Sequence, residues 1–107
     1  MQTLCVGDAA LVGLPVERGF DINAALREAA VAQGFSASFV AAHANGYLGY
    51  VLRREAYRHA PAGDTLGMAM YENLMNLFGV DFGERMLVEG RMLIADLAHV
   101  VAVGTAA

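Results

Sequence analysis

The chain has 107 residues, enough for one domain or a piece of one. Apolar residues make up 57% and charged residues 17%, a balance that points to surface meant to meet something else. A net charge of −4, with scattered arginines as the only basic residues, argues against a nucleic-acid footprint, and the single cysteine, Cys5, excludes an internal disulfide.

The first residues lack a basic n-region and carry Asp8 inside an apolar stretch, so they do not read as a signal peptide. Residues 3–6 and 9–14 predict two short strands, joined as a hairpin at the Gly7-Asp8 turn signal. Pro15 ends the second, since it has no donor for a ladder. Asp21 or Asn23 is placed to cap a helix running to about Gln33, with Gly34 as its stop and Ile22, Leu26, Ala29 and Ala30 near a helical period. Residues 35–43 return as a strand. The result is a β–α–β unit whose strands run parallel through a right-handed crossover, so their C-terminal ends share one sheet edge. Glu17 follows one end, and Asn45, Tyr47 and Tyr50 follow the other. Both strands are apolar on both faces, which implies cover on both sides, and one crossover helix cannot supply it.

Farther on, residues 53–59 predict a short helical turn and 61–64 a loop. Residues 66–78 carry a helical stripe (Met68, Tyr71, Leu74, Met75, Phe78) broken by Gly79. Asp81 can cap a last helix from Phe82 to about Val101, with Glu84 completing a capping box. Its apolar run is interrupted by Asp96 and His99 and is too short to span a bilayer. The fold class read from this order is α/β, a mixed sheet with a β–α–β unit flanked by helices, as part of a larger domain. The compartment stays open.

The stretch that carries chemistry is 39–57. An apolar run stops at His43-Ala44-Asn45-Gly46, and Tyr47 and Tyr50 each follow a glycine, Gly46 and Gly49. The glycines permit positive φ or a close backbone approach to a ligand, and Asn45 is expected to hold the corner through side-chain to backbone hydrogen bonds. The bland alternative is a glycine-rich turn whose tyrosines pack on the core. No two of His43, His59 and His99 have the i, i+4 spacing of a helical zinc motif. A set of Glu17, His43, Tyr50 and His59 is one conceivable metal site, against solvated or locally satisfied histidines.

Several segments in order, GDAALVGLPVE, LREAAVAQG, HANGYLGYVLRREAY, YENLMNLFG and GERMLVEGRMLIADL, resemble the C-terminal part of the catalytic domain of the neutral/alkaline non-lysosomal ceramidases and their bacterial relatives. The resemblance spans residues 4–98. It implies a zinc-dependent amidase that cleaves the N-acyl bond of ceramide, with the metal held by two histidines, a glutamate and a tyrosine. The glutamate falls on Glu17 and the tyrosine on Tyr50. The two histidines and a catalytic serine belong to an earlier part of the family's domain. A second tyrosine, near the substrate carbonyl, falls on Tyr71, although the segment from Tyr57 to Tyr71 is longer than the family's. Leu52-Arg53 stands where Thr-Thr is common. Zinc takes nitrogen and carboxylate ligands and an open water position, and its bound water can attack an amide carbonyl.

Three readings follow: a ceramidase-like hydrolase fragment acting on a lipid amide, a non-catalytic fold or assembly module, or one half of a split hydrolase. Each expects a partner, whether self-association or a missing N-terminal portion.

Overall fold

A computed structural model describes residues 1–58 and 78–106 of the chain. His59, Tyr71, the expected loop at 61–64 and most of the expected helix at 66–78 lie outside them.

Strands β1 (Gln2–Val6) and β2 (Ala9–Gly13) form the expected hairpin, with Val6 opposite Ala9 and Gly7 in the left-handed region at φ 63°. A two-residue strand β3 (Glu17–Arg18) leads into helix α1 (Phe20–Ala32), and β4 (Ala37–Ala41) returns parallel to β2, with Leu11 beside Phe39. The three-stranded sheet has the order β1-β2-β4, antiparallel on one side of β2 and parallel on the other. A second short pair joins β3 to β5 (Tyr50–Val51), also parallel. Helix α2 (Arg54–Arg58) and the long helix α3 (Phe82–Ala106) complete a small mixed α/β fold. Among the described residues no helix is long and apolar enough to cross a membrane.

Helix α1 starts earlier than its capping residues suggest. Gly19 is still extended, at φ −64° and ψ 155°, because its N–H is bonded to Val51 O beside the β3–β5 ladder, and the helix begins at the next residue. Asp21 therefore sits inside the first turn, where its Oδ1 accepts from the Ile22 N–H at 2.8 Å and its charge suits the positive end of the helix. Asn23 is an interior residue. Gly34 does stop the helix, at φ 94°.

Strand alternation sorts the sheet residues by face. Ala10 and Val12 are fully buried under α1 and α3, together with Leu14, Val16, Ile22, Leu26, Ala30, Phe35, Val51, Met86, Leu87 and Ile94. Thr3 Oγ1 donates to Leu93 O at 3.4 Å and ties β1 to α3. The other face carries Leu4, Leu11 and Phe39 in one cross-strand row, with Val6 beside them. Leu4, Val6 and Phe39 are exposed, Phe39 by 63%. Among the described residues the expectation of cover on both faces is thus met on one only. The added helix α3 packs on the same side as α1, and the two cover that face jointly.

Helix α3 approaches its neighbours at two glycines. A Cβ on Gly83 would stand 2.2 Å from Leu52 O, and one on Gly90 would stand 2.5 Å from Leu26 Cδ2. In place of the expected capping box, both carboxylates at the start of α3 turn toward α2. Glu84 accepts from Arg53 Nε and Nη2 at 3.3 and 3.4 Å and from the Arg54 N–H at 3.2 Å, while Asp81 takes the Arg54 guanidinium. The guanidinium of Arg53 outbids a helix N–H for Glu84 because a charge-assisted two-pronged contact is the stronger one.

Two outcomes follow from this packing. Gly83→Ala should destabilise the protein by about 1–3 kcal/mol, because the obstructing atom is a backbone oxygen that cannot rotate aside. Gly104→Ala, which meets nothing within 4 Å, should be neutral or slightly stabilising, since alanine is the better helix former. Urea denaturation of both variants checks the pair.

Arg53 holds the Glu84 carboxyl below its ordinary pKa, chiefly through their hydrogen bond. A carboxylate whose folded pKa is depressed stabilises the fold above its unfolded pKa and loses that contribution as pH falls through the folded value. Stability should therefore decline below about pH 4.3, and Glu84→Gln should flatten that limb. The half-exposed geometry limits the effect to about 1 kcal/mol or less. Thermal melts from neutral to acidic pH read it out.

Candidate functional site

The corner expected to carry chemistry is built by two backbone segments bonded to each other along their length. Beyond the β2–β4 ladder, Leu14 N–H donates to Ala41 O at 2.9 Å, Ala44 N–H to Leu14 O at 2.9 Å, and His43 N–H to Val16 O at 3.3 Å. Leu48 N–H donates to Pro15 O at 2.7 Å and Glu17 N–H to Gly49 O at 3.0 Å, after which the β3–β5 pair begins. Pro15 lacks a donor but keeps its carbonyl in use, which is why a proline sits here without breaking the association.

Strand β4 stops at Ala41, two residues short of the expected His43. His43 and Asn45 adopt left-handed backbone at φ 55° and 61°, and Gly46 and Gly49 take φ 145° and 95°. The positive φ at both glycines is what their positions require. Asn45 uses its side chain differently from the expectation: Nδ2 donates to Gln2 Oε1 at 2.8 Å, across to β1, so the corner is held by a side-chain pair and not by a local turn bond.

This geometry brings four of the named residues together. Glu17 and Tyr50 are direct partners in the β3–β5 ladder and so project from the same face, with Arg18 and Val51 on the other. His43 Nε2 donates to Glu17 Oε2 at 3.3 Å, and the Tyr47 ring lies against the His43 ring with centroids 5.0 Å apart, tilted by 41°. Glu17 and His43 are each about half exposed, with side-chain exposures of 45% and 51%. Tyr71 and His59 lie outside the described residues, so the structure places neither against this group. The His43–Glu17 bond was weighed in the sequence only as part of a four-residue metal set. The left-handed turn that aims His43 at Glu17 has no signal in the residue types beyond the nearby glycines.

The chain matches no family model, and no curated protein matches it.

The donors present can be set against zinc. Among the described residues no group of three His, Cys, Asp or Glu side chains is placed to hold a metal. Glu17 and His43 supply one carboxylate and one imidazole, and Tyr50 stands directly opposite Glu17 in the ladder. A catalytic zinc takes three protein ligands and leaves a fourth position open. Among the described residues the histidines, cysteine and acidic side chains therefore do not complete such a site.

Because the Glu17–His43 pair is half exposed, Glu17→Gln should change stability by less than about 1 kcal/mol. Gly49→Val should cost more, about 1–3 kcal/mol, since a β-branched residue at φ 95° is strained whatever space surrounds it. Chemical denaturation of the two variants separates what the surface pair contributes to stability from what the backbone that carries it contributes.

Proposed function

We propose that this chain is the C-terminal portion of a ceramidase-like zinc-dependent amidohydrolase, inactive by itself, whose remaining ligands and catalytic serine come from a preceding portion or a partner chain. The observation that carries the reading is the direct ladder pairing of Glu17 with Tyr50, the two positions on which the resemblance puts metal ligands. Residues far apart in sequence are held there by backbone bonds, so the pair is set by the fold and not by side-chain chance. In this reading His43 fixes the orientation of the Glu17 carboxylate, Tyr47 packs on His43, and Gly46 and Gly49 give the corner its shape. Asn45 ties the corner to β1. Tyr71 is assigned the position near the substrate carbonyl on the resemblance alone.

The face with Leu4, Val6 and Phe39, uncovered among the described residues, favours a second reading, a non-catalytic assembly module that docks on a partner or on another copy. One experiment separates them. Zinc binding by calorimetry and fatty-acid release from a short-chain ceramide are measured for the 107-residue chain alone and joined to its preceding coding sequence. The hydrolase reading expects little zinc uptake and no release by the chain alone, both appearing in the joined protein and both lost in Glu17→Gln. A joined protein that gains neither, while sedimenting as a defined assembly, would establish the module instead. Tight stoichiometric zinc binding by the chain alone, lost in Glu17→Gln, would show that the metal site is already complete.

A further inference from the structure

We propose that Asp81 and Glu84 are positioning residues for the candidate site. With Arg53 and Arg54 they form an ionic brace that holds β5, and with it Tyr50, against β3. Loosening the brace opens the β3–β5 ladder while the three-stranded sheet stays closed. The inference deepens the reading above, which makes Tyr50 a metal ligand, but the placement of Tyr50 belongs to the backbone and is tested without metal or substrate.

The ladder that sets Glu17 beside Tyr50 is short. Its residue pairs are Glu17 with Tyr50 and Arg18 with Val51, and bonds from Glu17 N–H to Gly49 O and from Gly19 N–H to Val51 O, both at 3.0 Å, extend it. Strands this short are not stable as an isolated pair, so what holds the chain at either end decides how often the ladder opens. Before Tyr50 that hold is the bond from Leu48 N–H to Pro15 O. After Val51 the chain enters α2, whose five residues are too few to keep a helix by themselves. Val51 is buried in the core and anchors one face of β5, whereas Tyr50, on the other face, is only partly buried.

The start of α3 supplies the hold that α2 lacks. Leu52 follows the ladder directly, and its carbonyl oxygen stands where a Cβ on Gly83 would have to go, so the helix meets the strand exit at backbone level. The next two residues are the arginines. Arg53 Nε and Nη2 donate to the two oxygens of Glu84, the Arg54 N–H donates to Glu84 Oε1, and Arg54 Nε donates to Asp81 Oδ1 at 2.6 Å. The hydrogen bond between Arg53 and Glu84 raises the pKa of the first and lowers that of the second, so both stay charged through the neutral range. Asp81 and Glu84 also stand at the positive end of the helix, which favours carboxylates. All four side chains are partly exposed, so salt screens the brace. The apolar core under α1 and α3 has no such dependence.

The test is backbone hydrogen exchange on the full chain, read by NMR. The Glu17 and Gly19 amides bond across the ladder and report its opening, and the Leu14 amide, bonded to Ala41 O, reports the β2–β4 association. Raising salt from about 50 mM to about 1 M should speed exchange at Glu17 and Gly19 on the order of fivefold, the scale of lost exposed ion pairs. Leu14 should change by less than about twofold on that scale. Arg53→Ala and Glu84→Ala should each loosen the same two amides, and both together should add little, since each removes the same contact. Arg53→Lys, which keeps the charge, should loosen them less than Arg53→Ala. The ring resonances of Tyr50 should shift along the same salt series. Unmoved Glu17 and Gly19 amides, a Leu14 amide that rises in step, additive alanine variants, Arg53→Lys as loose as Arg53→Ala, or a fixed Tyr50 ring would each overturn the proposal. Should an alanine variant fail to fold, the salt series on the unaltered chain decides alone. These readouts use neither zinc nor ceramide, so their failure is distinct from a failure of the hydrolase reading.

Discussion

Everything in this molecule depends on one parallel association, between residues 9–18 and 37–51. It begins as the ladder between β2 and β4, continues through single backbone bonds across Pro15 and Val16, and ends as the ladder between β3 and β5. Parallel strands need a crossover, and α1 is that crossover. Between the two ladders the second segment is the longer one, and its surplus residues are thrown out as the corner that holds His43, Asn45 and Tyr47. The candidate site is thus a by-product of register: the same bonds that close the fold fix Glu17 beside Tyr50.

Several of these relations could be read directly from residue types. Gly7-Asp8 between two apolar runs specified the hairpin, and Gly34 specified the end of α1. The chirality and parallel sense of a β–α–β unit then put Glu17 and the tyrosines at one edge without any knowledge of side-chain contacts. Other features were hidden for physical reasons. Two-residue strands such as β3 and β5 carry no periodicity, so nothing in Glu17-Arg18 or Tyr50-Val51 signals pairing until the backbone is seen. Asp81 and Glu84 satisfy a capping pattern by type, yet Arg53 and Arg54 compete for the same carboxylates through tertiary proximity. The strands' apolar character on both faces was plain, but which face α3 would cover was not, and the close approaches at Gly83 and Gly90 are matters of distance that hydrophobicity does not signal.

The two faces of the sheet differ in kind. Under α1 and α3 the packing is close, to the point that two glycines are required where α3 meets Leu52 and Leu26. Across the strands, Leu4, Leu11 and Phe39 form a row with nothing described above it. Burying such a row contributes about 25 cal/mol for each Å² removed from water, which is substantial beside the 5–15 kcal/mol or so that holds a small domain together. The candidate site is carried by the two-stranded β3–β5 pair, whereas the open face belongs to the three-stranded sheet.

The bond between Thr3 and Leu93 joins the first strand to the last helix. A ribosome extends a chain by about 5–20 residues each second, so the hairpin and the crossover unit emerge seconds before the helix that completes their cover. During that interval α1 is the only helix available to cover the face that it later shares with α3. On a nascent chain the face that α1 and α3 cover jointly therefore stays half covered until α3 has been made.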